Sequence, residues 1–172
     1  FKGLRLRIQA SRVLAAQMRA LGAYPVVLPF GETRRALAEG VVDGAENPVS
    51  NFLTQGLAPV QRALTLTDHG YLGYAVVANP RFWAILGEGD RTLLQRALNQ
   101  ALAEGNARAA ALNAQALATL KQTPGLQVHS LSAAQRTALR QAVQPVHADF
   151  ARRVGTPLLR DVKNLCLGGI SG

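Results

Sequence analysis

Short apolar runs alternate with amphipathic ones along residues 1–48, and this alternation restricts the fold more than any other feature of the chain. Lys2–Gln9 has period two: Leu4, Leu6 and Ile8 fall on one side, Arg5, Arg7 and Gln9 on the other. That is the pattern of a strand with one polar face. Ser11 is placed to cap a helix carrying Val13, Leu14, Met18 and Leu21 and ending at Gly22. Val26–Leu28 reads as a second strand, closed by Pro29 and Phe30, and a helix with Ala36 and Leu37 stops near Gly40. Strand, helix, strand, helix predicts an α/β architecture.

The remainder continues in kind. Asp43-Gly44 is a turn signal, and Asn47 before Pro48 predicts a capped helix start, the helix ending near Gly56. Ala63–Thr67 and Tyr71–Ala78 read as strands, the second rich in aromatic and β-branched residues, until Asn79-Pro80 breaks it. Asp90 predicts the cap of a long helix reaching about Gln122, with Leu94, Leu98, Leu102, Leu112, Ala116 and Leu120 in one stripe. Leu126–Leu131 reads as a short strand. Ser132 and Gln135 form a capping-box pattern ahead of a helix with Leu139, Val143, Val146 and Phe150 that contains Pro145. The tail Gly168–Gly172 is expected to fray.

Composition narrows the function classes. The 172 residues, 48% of them apolar, suit one globular domain or one lobe of a larger protein. No run approaches the ~20 apolar residues that a membrane span needs. Single Cys166 excludes an intrachain disulfide framework and a cysteine-based zinc site. Nineteen basic against ten acidic residues give a net charge of +9, which favours anionic partners. The arginines are scattered rather than clustered, so they name no particular anion. The chain opens on Phe1 within an apparent strand, with no leader pattern, so a preceding segment is expected.

Catalytic patterns are missing from the sequence. His69, His129 and His147 lack metal-ligand spacing, no nucleophile elbow or phosphate loop occurs, and Cys166 has no histidine near it. The expectation is a non-enzyme without cofactor or metal. No basic recognition helix or aromatic-rich RNA-binding strand occurs either, so nucleic acid is not the expected partner. Two residues suit a small organic anion. Arg7 would offer a planar fork that matches a carboxylate. Asn47, at a helix start, would offer an amide beside the positive helix end. Taken singly, each also reads as an ordinary strand arginine or an ordinary cap.

Longer strings go further. Lys2–Arg7 resembles the opening of the second lobe in the TRAP transporter solute-binding proteins, the DctP family. Leu21-Gly22-Ala23 with Pro29–Glu32, and Ala36-Leu37 with Gly40–Pro48 (GVVDGAENP), are similar to further family segments. His69–Val77 (HGYLGYAVV), followed by Asn79, Phe82 and Trp83, resembles the stretch found in C4-dicarboxylate-binding members. Departures at Gln9, Gly31 and Arg34-Arg35 flank these strings without removing Arg7 or Asn47.

The resemblance implies a periplasmic binding protein-like, type II-like fold of two α/β lobes, of which this chain would hold mostly the second. Residues 1–72 and 113–172 would form that lobe, and 73–112 a hinge crossing with a fragment of the first. It implies a periplasmic receptor, made with a signal peptide, that hands an organic acid to a TRAP membrane permease. Arg7 would grip a carboxylate, Asn47 would hydrogen-bond the ligand, and Phe30 would wall the cleft. Tyr71, Tyr74, Ser50 and Asn51 would line it, while His69 would be a buried structural residue. The rival reading is a basic interaction module that contacts nucleic acid or acidic lipid.

Overall fold

The computed structural model describes residues 1–168. Its elements are β1 (Arg5–Ile8), α1 (Arg12–Ala20), β2 (Tyr24–Val27), α2 (Thr33–Ala38), β3 (Gly44–Ala45), α3 (Val49–Thr54) and β4 (Ala63–Leu66). They continue with α4 (Pro80–Ile85), α5 (Glu88–Lys121), β5 (Gln127–Ser130), α6 (Ala133–Val154) and α7 (Thr156–Gly168). The chain divides into two compact units: Phe1–Glu46 with the stretch from His129 onward, and Asn47–Val128.

In the first unit a parallel sheet has the order β2-β1-β3. Arg7 lies opposite Val26 on one side and Ala45 on the other. Leu6, Ile8, Met18 and Ala23 make its core, with Leu14, Ala15 and Leu21 packed against them. Ser11 caps α1 by accepting from the Leu14 N–H at 3.2 Å, as the sequence indicates. Gly22 turns the chain from α1 into β2 at φ +82°, where a Cβ would stand 3.3 Å from the Lys2 backbone. Gly44 admits β3 beside β1: a Cβ there would press to 2.9 Å of the Leu6 side chain. The α6 helix packs on α1 and α7 on α6, and the Ser132–Gln135 capping box is formed in full. No separate element was expected over Thr156–Leu167, where α7 lies. Of the tail expected to fray, Gly168 is the last residue of α7, and residues 169–172 lie outside the described residues.

In the second unit α3 packs on α5, and Phe52, Leu57, Ala116, Leu120 and Leu126 are buried. The second sheet pairs β4 with β5. Four expectations are corrected here. Tyr71–Ala78 is not a strand: no described strand lies alongside it, and β-branched composition alone cannot close a ladder. The α5 stripe is buried only at Ala116 and Leu120, while Leu94, Leu102 and Leu112 are exposed. The α5 cap is Gly87, with Asp90 inside the first turn. Finally, the N-cap of α3 is Pro48, in an extended conformation, so Asn47 precedes the helix without capping it.

Candidate anion site

Order 2-1-3 reverses direction at β1, and open α/β sheets bind ligands beyond the carboxyl ends of their strands at such a reversal. Arg7 sits at that end of β1. Period two puts it on the same face as Arg5, on the side expected to be polar, yet it is only 1% exposed. Two of its donors are spent on one acceptor: Nε and Nη2 donate to the Leu28 carbonyl at 3.0 and 2.9 Å. Pro29 follows Leu28 and holds the preceding residue in extended backbone, which aims that carbonyl. The Phe30 ring lies under the guanidinium, 5.8 Å from carbon to centroid. Phe30 itself begins a 3-10 turn that leads into α2.

The third nitrogen, Nη1, is buried and has no hydrogen-bond partner among the described residues. Burial pushes the Arg7 pKa below its ordinary value, and the negative field of Glu46 opposes that shift. An arginine stays charged through such a shift. A buried cation with an unsatisfied donor is costly, and an oxyanion would relieve it. With the Nε side engaged by Leu28, the Nη1–Nη2 edge is the planar fork that remains, a geometry that matches a carboxylate.

Glu46, directly after β3, donates its N–H to the Arg7 carbonyl at 3.2 Å. The second unit begins at Asn47, whose Oδ1 and Nδ2 are both buried and without a partner among the described residues. Ser50 and Asn51 occupy the first turn of α3, half-buried. The Ser50 N–H donates to Asn113 Oδ1 of α5 at 3.1 Å. Tyr71 and Tyr74 stand 92% and 90% exposed on the irregular stretch after β4. His69 is half-buried, its Nδ1 2.6 Å from Thr67 Oγ1. The structure thus joins Arg7 and Phe30 directly, puts Ser50 and Asn51 on one helical turn beside Asn47, and leaves the tyrosines in solvent.

The match to known families decides the lineage. Residues 1–153 match the model of the DctP family, bacterial extracellular solute-binding protein, family 7. The chain belongs to this family. A C4-dicarboxylate-binding periplasmic protein DctP of Rhodobacter capsulatus is 44% identical over 163 residues, 95% of this chain and 49% of that protein. Among solved structures, a TRAP periplasmic solute-binding protein of Shewanella oneidensis, with bound succinate, superposes with a TM-score of 0.86 at 36% identity. It is matched over 92% of this chain and 52% of its own length. A Pseudomonas aeruginosa counterpart with bound L-malate gives 0.80 at 36% identity, over 86% and 52%. The chain spans about half the length of the DctP relatives it matches.

Three contributors escaped the sequence reading. The Leu28 carbonyl is backbone, and only the following proline hints at its fixed direction. Glu46 lies inside the GVVDGAENP string, where nothing in the residue pattern singles it out. Asn113, one of several amides in the Ala- and Leu-rich part of α5, gave no periodic signal.

Proposed function

We propose that the whole protein is the periplasmic solute receptor of a TRAP transporter. It binds a C4-dicarboxylate or similar organic acid and delivers it to the membrane permease. One observation carries the reading: a buried arginine at the carboxyl end of the central strand keeps Nη1 free of any partner among the described residues. Support comes from relatives that carry succinate or L-malate. In this reading Arg7 takes a carboxylate on its Nη1–Nη2 edge, Phe30 walls the guanidinium, and Asn47 hydrogen-bonds the ligand. Ser50, Asn51, Tyr71 and Tyr74 line the remainder.

The lobe division belongs to the same proposal: 1–72 and 113–172 in the second lobe, 73–112 as hinge crossing and first-lobe fragment. Its support is the burial pattern. From Gly70 to Leu112 nearly every side chain is exposed, including Val76, Val77, Ile85 and Leu93, and full burial resumes at Ala116. Exposed apolar residues in that density mark a surface that another body covers. The ligand would shift an open–closed equilibrium by touching both lobes only when they close.

The test is a thermal-shift screen of the whole protein against an organic-acid panel. Stabilisation by succinate, malate or fumarate is the expected outcome, by mass action on the folded state. A folded protein that no organic acid stabilises, with binding instead to nucleic acid or anionic vesicles that falls steeply with salt, would replace this reading with the basic-module one.

A further inference from the structure

An asparagine immediately before a helix normally spends its side-chain oxygen on the N–H two or three residues ahead. Counted from Asn47, the N–H at that distance includes Ser50. Here that donor is already taken, by Asn113 Oδ1 at 3.1 Å, from a residue 63 positions later on α5. Asn113 is itself held in one orientation, because its Nδ2 donates to the Ala109 carbonyl one turn back, at 3.1 Å. That second bond fixes which end of the amide faces α3. The Asn47 amide, relieved of the capping task, keeps both polar atoms buried and unpartnered among the described residues.

We propose that Asn113 is a positioning residue for Asn47: by capping α3 from α5, it holds the Asn47 amide available to a ligand. The proposal rests on the receptor reading given above, in which Asn47 contacts the bound acid. Without Asn113, the Ser50 N–H and the Asn47 Oδ1 would satisfy each other, since both are otherwise unpaired and within reach along the chain. The amide would then turn toward the helix, and the ligand would lose its partner. Asn113 touches no ligand itself; it acts through the competition for one N–H.

The experiment is calorimetry of the whole protein with succinate and with L-malate, for wild type, Asn113→Ala, Asn113→Asp, Asn47→Ala and Asn113→Ala/Asn47→Ala. Asn113→Ala should weaken binding about tenfold, the value of one lost hydrogen bond to a charged group. Asn113→Asp keeps the accepting oxygen and should stay within about twofold of wild type, since aspartate caps as well as asparagine. In the Asn47→Ala background, Asn113→Ala should have no further effect, the mark of a residue acting through Asn47. Amide exchange at Ser50 gives a ligand-free check: protection is expected in wild type and Asn113→Asp, and also in Asn113→Ala, where Asn47 takes over the bond.

Additive losses in the double variant, or full affinity in Asn113→Ala, would overturn the positioning role while leaving the receptor reading intact. So would loss of Ser50 protection in Asn113→Ala. A folded wild type that binds neither acid would overturn the receptor reading, and this inference with it.

Discussion

Arg5 and Arg7 stand two residues apart on one face of one strand, and they do opposite things. Arg5, at the amino end of β1, is solvent-exposed and paired with Asp43. Its Nη2 meets Asp43 Oδ1 at 2.7 Å, its Nε donates to Oδ2 at 3.1 Å, and its backbone N–H donates to the same Oδ2 at 2.7 Å. Arg7, at the carboxyl end, is buried, faces no salt-bridge partner at contact distance among the described residues, and keeps Nη1 unsatisfied. One arginine closes a local structural pair in water. The other is held by a carbonyl and a ring, and in the proposed function it takes the ligand carboxylate. Position along the strand separates the exposed, paired arginine from the buried one with an unsatisfied donor; residue type and periodicity do not.

Replacing Arg7 strikes hardest at that contrast. In the whole protein Arg7→Ala should weaken dicarboxylate binding by about 3–5 kcal/mol, because the ligand carboxylate is left buried without its cation. Calorimetry reads this directly, and a urea melt should show the variant folded, since no buried charge then needs compensation. Next comes the core beneath the strand. Ile8 is fully buried, so Ile8→Ala should cost about 2–5 kcal/mol in urea unfolding, with little specific effect on the ligand once folded. A smaller effect is expected at the ring: Phe30→Ala should weaken binding by about 1 kcal/mol through loss of the cation–π contact and of water exclusion over Arg7.

The smallest effect belongs to the Arg5 end. The Arg5 hydrogen bonds hold the Asp43 carboxyl at a pKa of about 2, below its ordinary value near 3.8, and raise that of Arg5. A depressed carboxylate adds stability above its unfolded pKa and loses it as pH falls through the folded one. The Asp43 contribution should therefore be complete above about pH 5 and be lost progressively as pH falls to about 1, below both pKa values. Both side chains are exposed, so the gain is slight and screened by salt. Urea midpoints of wild type and Asp43→Asn should differ a little at pH 7, the gap narrowing as pH falls from about 5 and closing near pH 1. A difference that stays constant from about pH 5 to about pH 1 would break the assignment.

The same contrast explains what was legible in the chain. Local rules found β1, α1, β2 and α2, because period, cap and turn residues agree there and each element buries its face within the first unit. Ser11 and the Ser132–Gln135 box worked because capping is decided within three or four residues. Tyr71–Ala78 has as strong a strand composition as β1 and is no strand, because a ladder needs neighbours and composition carries no information about them. Asn47 is not the cap, and no local rule shows it: the Ser50 N–H is taken by Asn113, 63 residues after Ser50 in the sequence. Arg7 was legible as a site candidate from its planar fork on the polar face of β1, and the resemblance to a family string set it apart from an ordinary strand arginine. Its burial, its two bonds to Leu28 and its free Nη1 are tertiary facts. The exposed Tyr71 and Tyr74 likewise show that a motif can be present while the geometry around its side chains is not written in it.

The most direct test keeps charge constant and changes only the donor geometry at each end of β1. Succinate and L-malate binding to the whole protein would be measured by calorimetry for wild type, Arg7→Lys and Arg5→Lys. Lysine preserves the positive charge but has no planar fork to divide between the Leu28 carbonyl and a carboxylate. The account predicts that Arg5→Lys binds as wild type does, whereas Arg7→Lys loses about tenfold or more, equivalent to ~1.4 kcal/mol. Equal losses at both positions, or wild-type affinity in Arg7→Lys, would contradict it and leave net charge rather than the buried fork as the source of recognition.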